Sequence, residues 1–281
     1  SSLVGSEMCI RDSDITDLMA LGPTPDARDI QRRQTAHRIA IADAWQIQPG
    51  ENILEIGCGQ GDLSAVLADQ VGPNGHVTGI DIASRDYGAP LTLGQAWDHL
   101  LNGPLASRLT VHFDTNLTAS LGPVANQHFD RIVMAHSLWY FASANAFALL
   151  LKNLRTIGDY VDLAEWSLHP TALNQIGHLQ AAMIQGLLYA IAPSDVANIR
   201  TLITPDTLAQ IAHDHTWSYT AGKLIECPDL DDAKWEIATT KALLTELKLS
   251  TDLRDRVKPQ LEAMQHNGTA SLPTFTGRIT F

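Results

Sequence analysis

The sequence predicts an α/β fold, a doubly wound and mostly parallel seven-stranded sheet, on three observations. Short aliphatic segments recur at 52–57, 76–81, 109–114, 130–135 and 159–165, each apolar enough along its length to be a strand buried on both faces. Between most of them lie helix-like stretches with apolar residues at three- and four-residue steps, such as Leu63, Val66 and Leu67, or Leu149, Leu150 and Leu154. This alternation requires parallel pairing through right-handed crossovers. The third observation is that the strands end in glycine or polar residues, and in an open parallel sheet ligands bind outside those ends.

Taken in order, 25–45 is a leading helix of strong helix formers whose apolar residues Ile39, Ile41, Ala42 and Trp45 gather near its end, with Pro49-Gly50 closing it. Residues 14–50 are therefore expected to form an N-terminal helical cover. The five strands and their helices follow. After Glu165 the rhythm changes: 170–191 is a long, mostly apolar helical stretch containing Gly177 and Gly186, read as a helical lid inserted over the sheet at about 168–203. Thr204 caps a helix with Pro205 at its first position. Residues 216–225 alternate like a sixth strand, two polar-faced helices fill 231–266, and 273–281 reads as the seventh strand. No repeat or low-complexity linker divides 51–281, so one domain with insertions is expected.

Composition narrows the function. The chain has 281 residues, 45% hydrophobic and 18% charged, which excludes disordered, collagen-like and coiled-coil classes. Nineteen Lys and Arg against 31 Asp and Glu give 19 − 31 = −12, a field that repels phosphate backbones and acidic lipid, so neither nucleic acid nor membrane is an expected partner. The longest nearly apolar run, 141–151, is interrupted by Ser143 and Asn145 and falls far short of the ~20 residues of a membrane span. Cys9, Cys58 and Cys227 form neither a disulfide framework nor a paired metal motif, and a reducing cytoplasm is the expected location. His213-Asp214-His215 lacks further ligands at useful spacing, so no metal is expected. Oligomeric state is not legible.

The strand ends carry the chemistry. The first strand runs into Glu55-Ile56-Gly57-Cys58-Gly59-Gln60-Gly61 and opens into a helix. Glycines permit positive φ and close approach of backbone to a ligand, and the helix N-terminus offers free N–H groups. Twenty residues after Gly61 the second strand ends in Asp81, placed to accept from both hydroxyls of a ribose. The third ends in Asp114-Thr115-Asn116, and the fourth in Ala135-His136-Ser137-Leu138-Trp139-Tyr140.

This combination resembles the class I S-adenosylmethionine-dependent methyltransferases, clearly over roughly residues 50–165 and more loosely in the last two strands. The resemblance implies S-adenosylmethionine as cofactor, with the loop glycines Gly57, Gly59 and Gly61 and the Cys58 backbone facing its methionine part. It implies Glu55 supporting the amino group, Asp81 the ribose and Asp114 the adenine, with Ile82, Thr115 and Ala135 completing the cofactor wall. His136 sits where acceptors lie in that family, and a neutral imidazole suits a general base. Trp139, Tyr140 and Glu165 are candidate pocket residues, although packing under the following helix is the commoner role of the two aromatics and a solvated loop acid that of Glu165. Arg32, Arg33 and His37 on the leading helix could cover the cofactor or position an acidic acceptor, against a default of a solvated face.

Residues 3–12 resemble a translated reading frame of a transposase adapter used in sequencing libraries, so 1–13 are set aside from fold reasoning. The implied reaction is methyl transfer to a small-molecule acceptor bearing a hydroxyl or similar nucleophile. The Asn/Asp-Pro-Pro-Tyr/Phe sequence of base amino methylation is absent, its place taken by Ala135-His136-Ser137-Leu138. Two alternatives stand beside it. A nicotinamide-dependent oxidoreductase would use Gly-x-Gly-x-x-Gly, whereas here the third glycine comes one residue early; Tyr219-x-x-x-Lys223 fits a short-chain dehydrogenase spelling but lies in a strand pattern. The other is a non-catalytic nucleotide-binding subunit.

Overall fold

The computed structural model describes residues 14–194, 197–247 and 249–281, apart from the Gln265 side chain. The segment 1–13, with Cys9 and the adapter-like run, lies outside the described residues. Helix α1 (Ala27–Trp45) leads into β1 (Asn52–Ile56), α2 (Asp62–Val71), β2 (His76–Ile80), α3 (Leu93–Leu101), β3 (Leu109–His112), β4 (Arg131–Ala135), α4 (Ala144–Leu154) and β5 (Tyr160–Trp166). Then come α5 (Ile176–Ile191), α6 (Pro205–Asp214), β6 (Ser218–Ile225), α7 (Asp232–Glu246), α8 (Thr251–His266) and β7 (Thr274–Thr280). The seven strands lie in the order β3-β2-β1-β4-β5-β7-β6. All pairs are parallel except those of β7, which runs antiparallel to both β5 and β6. The order reverses between β1 and β4, the switch point where an open sheet leaves a crevice.

Strand alternation divides the sheet into two cores. Leu54, Ile132, Met134, Val161 and Leu163 face the layer that holds Phe147, Leu150 and Leu151 of α4 and Leu208 of α6. Ile53, Val77 and Val133 face the opposite layer, with Ile41 and Trp45 of α1, Val66 and Leu67 of α2, and Trp97 of α3. Successive side chains of one strand thus serve different layers, as the two-residue period demands. Helix starts follow their local chemistry. Thr92 and Gln95 form a reciprocal capping box at α3, and Thr204 accepts from the Thr207 N–H with Pro205 at the first turn of α6.

A third core stands apart. Ala181, Ile184 and Leu188 of α5 pack on Ile237, Leu243 and Leu244 of α7 and Val257 and Met264 of α8. These three helices form a cap drawn from two excursions, one after β5 and one between β6 and β7, and α5 meets the end of β5 where His178 packs edge-on against Trp166 at 5.1 Å. The sequence predicts a lid at 168–203 alone, because the polar exposed sides of α7 and α8 mask the apolar stripe each presents to α5.

Candidate active site

The loop after β1 is shaped by three left-handed glycines, Gly57 (φ 77°), Gly59 (φ 51°) and Gly61 (φ 88°). A Cβ at Gly61 would stand 2.6 Å from Leu100 Cδ1, and one at Gly57 would stand 2.7 Å from Ser137 Cβ, so both positions also need the absent side chain. At Gly59 nothing lies within 4 Å of that point, leaving backbone open to a ligand. Ile80 O accepts from the N–H groups of Gly57 (2.8 Å) and Cys58 (3.1 Å), and the Trp97 indole donates to Gly59 O at 2.9 Å. Cys58 is buried at 4% exposure against Gly79 and contributes its backbone.

Asp81 fixes this loop. Its Oδ2 accepts from the Gly59 N–H at 2.9 Å and its Oδ1 from the Ala83 N–H at 2.9 Å. A carboxylate offers about four lone-pair sites, so acceptor capacity remains for a ribose. Its carbonyl takes the Thr115 N–H, and Ala83 O takes the N–H of Asp114, which holds Asp114 at φ 52° with its side chain exposed. Ile82 is exposed as well. Glu55 lies beneath the loop, 3% exposed, accepting from the Ser64 hydroxyl; burial pushes its pKa up to about 8. Gln60 donates to Leu91 O at 2.9 Å, tying the glycine loop to the segment that carries Tyr87. The glycines, Asp81, Asp114, Thr115 and Ile82 are thus brought to one side of the crevice, open at Gly59 and with an acidic anchor, and fit a ribose-bearing cofactor.

The opposite wall holds an imidazole cluster. His136 follows β4 in a left-handed conformation (φ 50°), held by its N–H donating to Ala164 O at 2.9 Å. Such backbone strain, on the order of 1–3 kcal/mol, persists where the surroundings over-determine it and clusters at functional sites. Its Nε2 lies 3.0 Å from Nε2 of His37, which is also 3.2 Å from Thr274 Oγ1. Its ring tilts against Trp166 at 4.2 Å, and His37 stacks on the same indole at 5.9 Å. His136 Nδ1 approaches Glu165 Oε1 to 3.4 Å but makes no hydrogen bond. Burial first, then the positive charge of Arg38, pushes the His136 pKa well down. Burial, His136 and Arg38 do the same to His37. Both imidazoles are neutral at pH 7, so the close approach to Glu165 is not an ion pair.

Glu165, expected as a solvated loop acid or pocket residue, is 1% exposed. Its carboxylate accepts from the backbone N–H groups of Leu138 (3.0 Å), Trp139 (3.3 Å) and Trp166 (2.9 Å). Burial outweighs these bonds and raises its pKa to about 7. Trp139 is corrected from pocket to core: 2% exposed, its indole donates to Ile203 O at 3.0 Å while its own carbonyl accepts from Arg200 and Thr201, so it anchors the return of the cap. Tyr140 is 48% exposed over the whole residue, while desolvation of its phenol, and then Glu236, Glu165, Tyr87 and Asp232, raise its pKa. Ala135 is half-buried at the strand end.

Several groups of this wall escape a reading by motif. His37 is buried rather than on a solvated face, and Arg33 pairs outward with Asp231 at 2.7 Å. Arg38 has a buried Nη1 with no partner and acts electrostatically on Glu55, Glu165, Asp232 and both histidines. On the cap side Gln34 donates to Asp232 and Gln185 to Glu236, joining α1 and α5 to α7. A signal is present in α1: Gln34 and His37 continue the inward register of Ile41 and Trp45, and a buried stripe that turns polar at one end is pointing into a crevice.

A family profile described as Methyltransferase domain matches residues 47–86. A methyltransferase phomM' of Diaporthe leptostromiformis is 32% identical over 158 residues, 50% of this chain, and the match covers 41% of that protein's length. A cyclopropane-fatty-acyl-phospholipid synthase-like protein from Lactobacillus casei is 82% identical across 96% of this chain and 99% of that one, with a TM-score of 0.95. A mycolic acid cyclopropane synthase complexed with SAH and CTAB, 16% identical over 95% of this chain and 94% of that one, shares the fold at a TM-score of 0.52. The chain belongs to the class I S-adenosylmethionine-dependent methyltransferases. S-Adenosylmethionine is the cofactor of that family.

Proposed function

We propose that the chain transfers a methyl group from S-adenosylmethionine to a compact small-molecule acceptor whose nucleophile carries a proton, a hydroxyl or an amine. The observation that carries this reading is the meeting of two unlike walls at the sheet's switch point: an open glycine loop braced by Asp81, and a buried imidazole–carboxylate cluster around Trp166. When bound, the cofactor supplies a methyl already activated by its sulfonium. The residues to hold it are Gly57, Gly59, Gly61 and Asp81, with Asp114, Thr115, Ile82 and Ala135 around the base and Glu55 beneath the loop. Arg38, with its unpartnered Nη1, is suited to the cofactor carboxylate.

The protein's remaining tasks are positioning, exclusion of water and removal of one proton. In the tautomer that donates from His136 Nε2 to His37, the His136 Nδ1 keeps a lone pair that no described group occupies. That nitrogen takes the proton, and Glu165 at 3.4 Å stabilises the imidazolium that results. The L. casei relative's name points instead to fatty acyl chains. A lining of His37, His136, Glu165, Asp232 and Glu236 is a poor medium for an acyl chain, because polar groups facing hydrocarbon lose their solvation without compensation.

Calorimetric titration with S-adenosylhomocysteine and with nicotinamide dinucleotides tests the cofactor reading, with binding expected only for the first. Methyl-labelled cofactor incubated with small alcohols and amines, and in parallel with unsaturated phospholipid vesicles, tests the acceptor. Label appearing only in the lipid would replace the small-molecule reading.

A further inference from the structure

The cap side of the crevice has an excess of hydrogen-bond acceptors. Gln34 of α1 donates its Nε2 to Asp232 Oδ2 at 2.7 Å. Gln185 of α5, fully buried, donates its Nε2 to Glu236 Oε2 at 2.7 Å, to Glu236 O at 3.2 Å and to Thr240 Oγ1 at 3.2 Å. Turning either amide over would set its oxygen against a carboxylate oxygen, so these neighbours fix both orientations. The consequence is that both amide oxygens, Gln34 Oε1 and Gln185 Oε1, are buried with no donor. A buried acceptor left unpaired costs about 1–3 kcal/mol.

The same cluster has an excess of negative charge. Arg33, through its Nη2, and Lys234 both pair with Asp231, and Arg33 Nε is left buried without a partner. Among the described residues no Lys or Arg lies within ion-pair distance of Asp232, Glu236 or Glu165. Arg38 acts on Asp232 and Glu165 from further off and is shared with Glu55. Burial, and then Asp231, raise the pKa of Asp232, while burial, and then Asp232 and Glu165, push that of Glu236 up to about 7. The charges of Glu236 and Asp232 both raise the pKa of the Tyr140 phenol. No group of three or more His, Cys, Asp or Glu among the described residues is arranged to hold a metal ion, and the two amide oxygens call for N–H donors, which a molecular cation carries together with a charge to match the carboxylates.

Building on the methyl-transfer reading, we propose that the acceptor is a primary or secondary amine, whose ammonium form is received by Asp232, Glu236 and the free amide oxygens of Gln34 and Gln185. Loss of one proton from the ammonium to His136 Nδ1, or to a chamber carboxylate, gives the neutral amine. Its nitrogen lone pair then forms the N–CH3 bond as the methyl–sulfur bond breaks, and that bond's electron pair stays on sulfur. The product is again an ammonium, so the carboxylates also stabilise the charge that develops on nitrogen.

The test pairs amines with alcohols of the same skeleton, 2-phenylethylamine with 2-phenylethanol and butylamine with butan-1-ol, titrated into the protein saturated with S-adenosylhomocysteine. Each amine is expected to bind about tenfold more tightly than its alcohol or better. Glu236→Gln and, separately, Asp232→Asn should remove most of that preference while leaving S-adenosylhomocysteine affinity in place. Equal binding of amine and alcohol, or an amine preference that survives both substitutions, overturns the proposal. Failure of S-adenosylhomocysteine itself to bind would instead remove the methyl-transfer reading on which it rests.

Discussion

Two carboxylates three residues apart on β5 have opposite surroundings. Asp162 is buried between two arginines: Arg131 pairs with it, and Arg278 donates to both its oxygens at 2.7 and 2.8 Å. Arg131 also grips Glu51 at 2.7 Å and donates to Trp45 O at 3.1 Å. Glu165, about 10 Å along the strand, is buried as deeply yet has backbone amides and a neutral histidine for company. At one end of the sheet, burial of charge is compensated and joins the end of α1, the residue before β1, and strands β4, β5 and β7. At the other it is met by backbone N–H groups and by no paired cation, next to a strained residue and an unpartnered imidazole nitrogen. The first arrangement can only hold; the second can exchange protons, which is why the crevice end is the candidate for chemistry.

The sharpest way to break the comparison is to remove each partner in turn. Asp162→Ala leaves two arginines facing each other without their anion, and is expected to cost roughly 3–5 kcal/mol of folding stability, a large share of the ~5–15 kcal/mol typical of a domain. Urea unfolding measures it, and affinity for S-adenosylhomocysteine in the fraction still folded should be unmoved. A loss under about 1 kcal/mol, the scale of an exposed pair, would mean that the arginines find other partners. His136→Ala should invert the pattern: stability nearly held, and kcat lowered by ~10²-fold with a responsive acceptor. Full turnover in that variant would reduce His136 to a structural residue and leave positioning alone as the chemistry.

Next in size is the cofactor side. Asp81→Ala removes the acceptor that fixes the Gly59 N–H along with any bond to ribose, and should weaken S-adenosylhomocysteine binding by about tenfold or more, since charge-assisted bonds contribute ~1.5–3 kcal/mol each. Unchanged affinity by calorimetry would show that the loop holds its shape unaided and that the ribose is bound elsewhere.

The ease with which these two halves can be read from sequence also differs. Every strand is legible, because residues such as Ile53, Leu54, Val133 and Met134 are apolar toward both cores. The glycine loop and Asp81 are legible because their function is tied to fixed spacing along one stretch of chain. The other wall is assembled from α1, the end of β4, the end of β5, α5 and α7. No local pattern links His37 to His136, 99 positions away, or Gln185 to Glu236. Trp139 misleads as a pocket residue since an aromatic after a strand reads the same whether it faces a crevice or, as here, the Ile203 carbonyl. The cap helices are legible singly and not as a unit, because their shared core appears only when α5, α7 and α8 are packed together.

The smallest effect isolates Glu165 itself. Its folded-state pKa of about 7 lies above the ordinary carboxylate value of 4.5, so the native protein binds this proton more tightly than the unfolded chain does. Between pH 4.5 and about 7, unfolding therefore releases the proton, and stability from this group is full at the acid end and lost as pH rises. Above that window the contribution is constant. Glu165→Gln keeps the shape, removes the titration and forfeits one acceptor of backbone N–H groups at every pH. The variant should thus be less stable than the parent in mild acid. From pH 6 to pH 7 the gap should close by about 1 kcal/mol, since release of one proton over a tenfold change in proton activity is worth at most ~1.36 kcal/mol. The buried histidines are present in both proteins, so their opposite pH dependence cancels in the difference. Urea unfolding of both across roughly pH 5–8, the span that brackets this titration, reads the gap directly. Parallel curves would mean that Glu165 ionises at the ordinary carboxylate value and that the two ends of β5 hold their charges in the same way.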